Sequence, residues 1–185
     1  MRNTYLTGYL PFISIVFFSL SLSVYTQGEL LGLFKKIGLY HGMMEFLSEV
    51  ELKMGILFVL VIFFFMIFSA LKLIADTINE LSLLFFSKDS DGDILKNVRS
   101  GSIIYFLGSC IALLSMKYFL GIIIILVATT VIYFIYYVYK IGPSLNIGGL
   151  FGIIFFEVFV WSILLLGTGY LFIKLYNSMV ASLPI

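Results

Sequence analysis

The sequence predicts an all-α, polytopic membrane helix bundle that forms one integral membrane domain over residues 1–185. Hydrophobic residues make up 62% of the chain and charged residues 11%, whereas a soluble domain averages about 45–50% apolar and about 25% charged residues. Residues 54–71 carry no charge, and a run of that length is near the minimum for a bilayer-spanning helix. We therefore expect about five transmembrane helices and no separate soluble domain. The five spans are placed at approximately 5–26, 54–75, 101–116, 118–139 and 150–173.

The first predicted span, 5–26, lies within the uncharged stretch 3–28. A cleaved signal peptide is the alternative, because Arg2 precedes the run and Ser21 and Ser23 form a small-x-small pattern like that of a cleavage site. The run is long for a signal peptide and its basic start is weak, so we expect the span to be retained.

The connection from Glu29 to Lys53 is polar overall but carries apolar residues at helical spacing. These residues are Leu30, Phe34, Ile37, Met44 and Leu47. The pattern predicts an amphipathic segment lying in the membrane interface, with breaks at Gly38 and Gly42.

The second span continues without Pro or Gly into a charged helix end. Lys72, Asp76 and Glu80 recur every four residues, which places them near one helix face. The simpler interpretation is a self-neutralising polar face at the membrane surface. The alternative is a surface that docks a partner or gates a pathway together with Glu157.

A hydrophilic stretch with alternating Asp89, Asp91 and Asp93 follows. A calcium-binding EF-hand loop needs Gly at its sixth position and an acid at its twelfth. Here Gly92 is fourth and Ser100 is twelfth. The stretch is therefore predicted to be a solvated turn between helices.

Residues 102–139 contain a single charge, Lys117. One helix of that length would measure about 57 Å, far more than a hydrocarbon core of about 30 Å. We therefore expect a helical hairpin that turns at 115–118. A stripe of small residues on its first arm predicts close helix contact. The stripe consists of Gly101, Gly108, Ala112 and Ser115.

The second arm of this hairpin ends in four tyrosines, which we interpret as an interfacial aromatic belt. They are Tyr133, Tyr136, Tyr137 and Tyr139. The last span, 150–173, starts at a weak helix-packing motif formed by Gly148 and Gly152.

Glu157 is the only ionisable residue well inside a predicted span. A carboxylate at the bilayer centre costs about 2.5–3.5 kcal/mol, so we expect it to face the bundle or a water-filled cavity. It could bind a proton or a cation that couples to transport. It could equally be a packing carboxyl, hydrogen-bonded to a Tyr, Ser or Thr of a neighbouring helix.

Enzyme chemistry is disfavoured by the residue inventory. With one cysteine, Cys110, and one histidine, His41, an intrachain disulfide is excluded and most metal sites are disfavoured. Hydrolase, zinc-protease and phosphate-binding motifs are missing. We predict no catalytic residue, no cofactor and no metal. The net charge of +1 gives no reason to expect nucleic acid as a partner.

The segment LKLIADTINELSLLFFSKD, residues 71–89, and the opening MRNTYLTGYLPF resemble the YufK-type small membrane proteins of bacilli. The resemblance covers the whole chain. It implies a bacterial, multi-pass plasma-membrane protein of uncharacterised function, and it supplies no functional residue.

Two hypotheses follow. The first is a non-enzymatic accessory or interaction subunit whose partners are the lipid bilayer and a membrane protein or a second copy of the chain. The second is a small proton- or cation-coupled transporter or channel component that uses Glu157.

Overall fold

The computed structural model describes residues 4–87 and 98–182, and this part of the chain is helical without any strand. The prediction of an all-α membrane helix bundle is confirmed. The helices are α1 (Thr4–Lys36), α2 (Leu39–Met44), α3 (Glu49–Phe86), α4 (Ser102–Leu114), α5 (Phe119–Ile141) and α6 (Ile147–Ser182).

Four helices in the described ranges are long and apolar enough to cross a membrane. They cover Gly8–Lys36, Glu49–Phe86, Phe119–Ser144 and Ile147–Ser182. The remaining predicted span, 101–116, corresponds to the shorter apolar helix Arg99–Leu114. At about 1.5 Å per residue, that helix is shorter than the hydrocarbon core.

The ends of α1 and α3 are set by local backbone chemistry. Gly38 adopts a left-handed conformation with φ of 79°, which favours glycine and ends the helical path after α1. Ser48 and Glu51 form a capping box at the start of α3, in which the Glu51 carboxylate accepts from the Ser48 backbone N–H at 2.8 Å. The predicted break at Gly38 is confirmed. The predicted break at Gly42 is wrong, since Gly42 lies inside α2.

The predicted amphipathic stripe is therefore divided among three elements. Leu30 and Phe34 belong to α1, which continues to Lys36. Met44 ends α2, and Leu47 lies in the turn before α3. A single helix does not carry the stripe, because the left-handed residue and a second turn interrupt it.

Helix α1 packs against both α3 and α4. Gln27 donates to the Lys53 carbonyl at 2.5 Å, while Phe12 contacts Phe65, so α1 and α3 run antiparallel. The buried side of α1 is lined by serines that bond to backbone carbonyls one turn earlier, which lets small polar residues lie inside the bundle. These serines are Ser14, Ser19, Ser21 and Ser23.

The hairpin of α4 and α5 turns at residues 115–118, as the length of the apolar stretch predicts. Its arms approach closely where Gly108 faces Thr129. A Cβ atom at position 108 would lie 2.1 Å from Thr129 Oγ1, so a larger residue requires the arms to move apart. Gly101 similarly faces the ring of Tyr136. The predicted close contact along the small-residue stripe is confirmed.

Helix α6 begins after Asn146, whose side-chain oxygen accepts from the Gly149 backbone N–H at 2.7 Å. Gly149 and Gly152 face Phe86 at the end of α3, whereas Gly148 faces open space. The predicted helix-packing motif of Gly148 and Gly152 is therefore wrong for Gly148, because a Cβ atom there would meet no neighbouring helix among the described residues. The register of the helix turns Gly149 toward α3 instead.

Candidate functional site

Glu157 lies where α6 packs against α3, and only 3% of its surface is exposed. Ser82 of α3 donates a hydrogen bond from Oγ to Glu157 Oε1 at 3.3 Å. Trp161, one turn further along α6, also hydrogen-bonds to the carboxyl group. The carboxyl group is thus held by partners on two helices, as burial of a polar group requires.

A third helix reaches the same place through Tyr137 of α5. Its hydroxyl lies 3.1 Å from Ser82 Oγ and donates to the Asn79 carbonyl at 3.4 Å. Ser82 Oγ also lies 2.8 Å from the Asn79 carbonyl oxygen, so its one hydroxyl hydrogen is shared between that oxygen and Glu157 Oε1. We call Asn79, Ser82, Tyr137, Glu157 and Trp161 the polar junction. The expectation that a Tyr, Ser or Thr of a neighbouring helix partners Glu157 is met by Ser82, with Tyr137 bonded to Ser82.

Apolar packing surrounds the polar junction. Leu83, Ile153 and Ile141 are buried in one cluster with Tyr137, and the rings of Phe86 and Phe156 pack beside it. Within the described ranges, every buried side-chain nitrogen or oxygen has a hydrogen-bond partner. The junction therefore joins three helices through satisfied polar contacts inside an apolar core.

The polar face of α3 that was predicted to lie at the membrane surface is more exposed than the polar junction. Lys72 and Asp76 form an ion pair on α3, and their side chains are 38% and 47% exposed. Glu80 is also exposed, and the structure does not bring any of these three side chains into contact with Glu157. The structure therefore shows no direct contact through which this face could gate a pathway together with Glu157.

The contact with Ser82 fixes the position of Glu157 along α3. Ser82 lies six residues beyond Asp76, about 9 Å further from the apolar run 54–71. Glu157 therefore packs beyond the charged face of α3 and not against that apolar run.

The four tyrosines of α5 differ in burial, and Tyr133 and Tyr136 are half-buried. Tyr139 is 77% exposed, which is compatible with the predicted aromatic belt. Tyr137 is buried and bonded to Ser82, so the belt interpretation is wrong for that residue. Position in the sequence did not separate them, because facing the core depends on how α5 packs against α3.

No group of three or more His, Cys, Asp or Glu residues that could hold a metal ion occurs in the part of the chain that the structure describes. Cys110 is a free thiol. The chemistry available at the polar junction is hydrogen bonding and proton exchange at one carboxyl group, two hydroxyls and one indole.

The fold and the junction define a small all-α membrane protein with a buried carboxyl group where three helices meet. Residues 27–184 match the family of unknown function DUF5366, and the chain belongs to this family. It is 42% identical to the uncharacterized membrane protein YufK of Bacillus subtilis (strain 168), over the full length of both chains. The resemblance to YufK-type proteins is therefore confirmed. No solved structure matches the chain.

Proposed function

We propose that the protein is a multi-pass, non-enzymatic accessory or interaction subunit of the bacterial plasma membrane. The observation that carries this proposal is the closed environment of Glu157. The carboxyl group is almost fully buried, and its hydrogen-bond partners Ser82 and Trp161 belong to the same chain. Such a group stabilises the association of helices and leaves little room for a substrate.

The second half of α6 supports an interaction role. Residues 162–182 are exposed apart from the half-exposed Gly169. This half extends for about 30 Å, the thickness of a hydrocarbon core. A membrane helix of this length that residues 4–87 and 98–182 leave uncovered can pack against another membrane protein or against a second copy. The bilayer itself is the default environment of this surface.

The alternative function is a small proton- or cation-coupled transporter or channel component. One observation favours it: a buried carboxyl group lies at the meeting point of three helices, inside a helix long and apolar enough to cross a membrane. Water reaching Glu157 would make it available for proton exchange, whereas dry packing leaves it a structural group.

Thiol labelling distinguishes the two functions. In a Cys110→Ser background, the variants Glu157→Cys and Ser82→Cys are each treated with a membrane-impermeant thiol reagent, in intact cells and in inverted vesicles. Ser82→Cys keeps the carboxyl group and so tests whether water reaches the junction while Glu157 is present. Ser144→Cys, in the exposed turn between α5 and α6, serves as the accessible control.

We expect Ser144→Cys to react in one preparation only, and both junction variants to remain unlabelled. That result supports the accessory function and also fixes the orientation of the chain. Labelling of Ser82→Cys from either side means that water enters the junction. The transport function would then replace the accessory one.

A further inference from the structure

The connection between α1 and α3 exposes apolar side chains at the end of the bundle where both helices terminate. Phe46 is 86% exposed and Val50 is 70% exposed. Ile37, Leu39 and Leu47 are exposed as well. Each of these side chains leaves at least 42% of its surface exposed, which is costly if that surface faces water.

The exposed residues continue a surface that already faces lipid. Along α3, Val50, Met54, Phe58 and Ile62 follow at intervals of four residues and are all exposed. The last three lie in the uncharged run 54–71, whose apolar window has no buried residue. Val50 carries the same surface past Lys53 toward the connection, and Phe46, in the turn before α3, is exposed as well.

Charged and aromatic side chains flank this surface as they do at a membrane boundary. Lys35 lies 4.8 Å from the centre of the Tyr40 ring, and Lys53 pairs with Glu49 at 2.6 Å. Long lysine side chains at a helix end can reach the headgroups while their stems remain among apolar atoms. The capping box of Ser48 holds the first turn of α3 in place beside Phe46.

We propose that residues 37–50 and the first turn of α3 form an interfacial lipid anchor, in which Phe46 and Val50 insert at the boundary between headgroups and acyl chains. The partner is the lipid surface, because the apolar surface is continuous with the lipid-facing side of α3. The anchor fixes the depth of the α1–α3 pair in the bilayer. Residues 37–52 carry three glutamates and no lysine or arginine, so apolar insertion, and not attraction to anionic lipid, drives the contact.

Site-directed spin labelling tests the anchor in the full chain. In the Cys110→Ser background, a nitroxide is attached at Phe46→Cys and, as a matched control, at the adjacent Glu45→Cys. Both positions are exposed, so neither label disturbs packing. The proteins are reconstituted in vesicles of zwitterionic phosphatidylcholine. Collision rates are then measured with oxygen, which concentrates in acyl chains, and with a water-soluble nickel chelate.

We expect the ratio of oxygen to nickel collisions to be several-fold higher at position 46 than at position 45. Val50→Cys should follow position 46. A nickel-dominated signal at all three positions places the connection in water and overturns the anchor. Low collision rates with both reagents at positions 46 and 50 mean that protein covers the surface, which also overturns it.

Discussion

The polar junction and the charged face of α3 are only a few turns apart, yet they contribute to the molecule in different ways. Lys72 and Asp76 pair within one helix and remain half-exposed. Glu157 is buried and contacts Ser82 of a different helix, which in turn contacts Tyr137 of a third. A polar group therefore holds the bundle together when it is buried and its partner lies on another helix.

Energetic expectations follow from this difference. An exposed ion pair between residues four apart stabilises a helix by about 0.3–0.5 kcal/mol. Leaving a buried polar group without its partner costs about 1–3 kcal/mol. Substitutions at the two sites should therefore change the free energy of unfolding by different amounts. A substitution in the apolar contact between α4 and α5 gives a third value with which both can be compared.

Gly108→Ala should have the largest effect on the free energy of unfolding. The added methyl group would lie 2.1 Å from Thr129 Oγ1 and 3.0 Å from Thr129 Cβ, so rotation of the threonine side chain cannot relieve the overlap. We expect a loss of about 2–3 kcal/mol in unfolding free energy, measured by denaturation in detergent micelles. Gly148→Ala is the control, because position 148 faces open space. Equal stability of the two variants would show that α4 and α5 are not closely packed.

Glu157→Ala should destabilise the protein by about 2 kcal/mol, because it removes the acceptor for Ser82 and Trp161 and leaves a cavity. The same denaturation experiment measures it. Glu157→Gln keeps a carbonyl oxygen in place and should recover most of the loss. If the alanine variant is as stable as the parent chain, the junction does not join the helices and the contrast with the charged face disappears.

Tyr137→Phe should cost about 1 kcal/mol, because the phenyl ring still fills the core while the hydroxyl bonds to Ser82 and Asn79 are lost. Tyr139→Phe, two residues along the same helix, is the matched control and should leave the unfolding free energy unchanged, since Tyr139 is exposed. Similar losses from both variants would mean that the hydroxyls act at the membrane surface and not in the core.

The periodicity and composition of the chain were sufficient to predict a helical membrane bundle, the hairpin turn at 115–118 and a contact of Glu157 with a hydroxyl group of a neighbouring helix. They did not reveal which face of a helix meets which neighbour. Ser21 and Ser23 looked like a cleavage pattern, yet they line the buried side of α1. Tyr137 looked like one member of a belt. These assignments depend on contacts between distant segments, which no local pattern encodes.

The lengths of the helices were also underestimated, for a physical reason. A predicted span ends where the apolar run ends, but a helix continues until a backbone signal stops it. Helix α1 passes through Glu29 and ends only before Gly38, and α6 extends from Ile147 to Ser182. Ser82, the partner of Glu157, likewise lies on a part of α3 beyond the predicted span 54–75.

Asp76→Asn should have the smallest effect, a loss of about 0.3–0.5 kcal/mol at low ionic strength. The pair with Lys72 is exposed, so added salt should screen it and bring the variant and the parent chain to equal stability. Glu157→Ala should show no such dependence on salt, because its contacts are buried. Denaturation at two salt concentrations therefore separates the two sites even where the energies are close to experimental error. A large, salt-insensitive loss for Asp76→Asn would show that this carboxylate also acts between helices, and the distinction between the two polar regions would then be wrong.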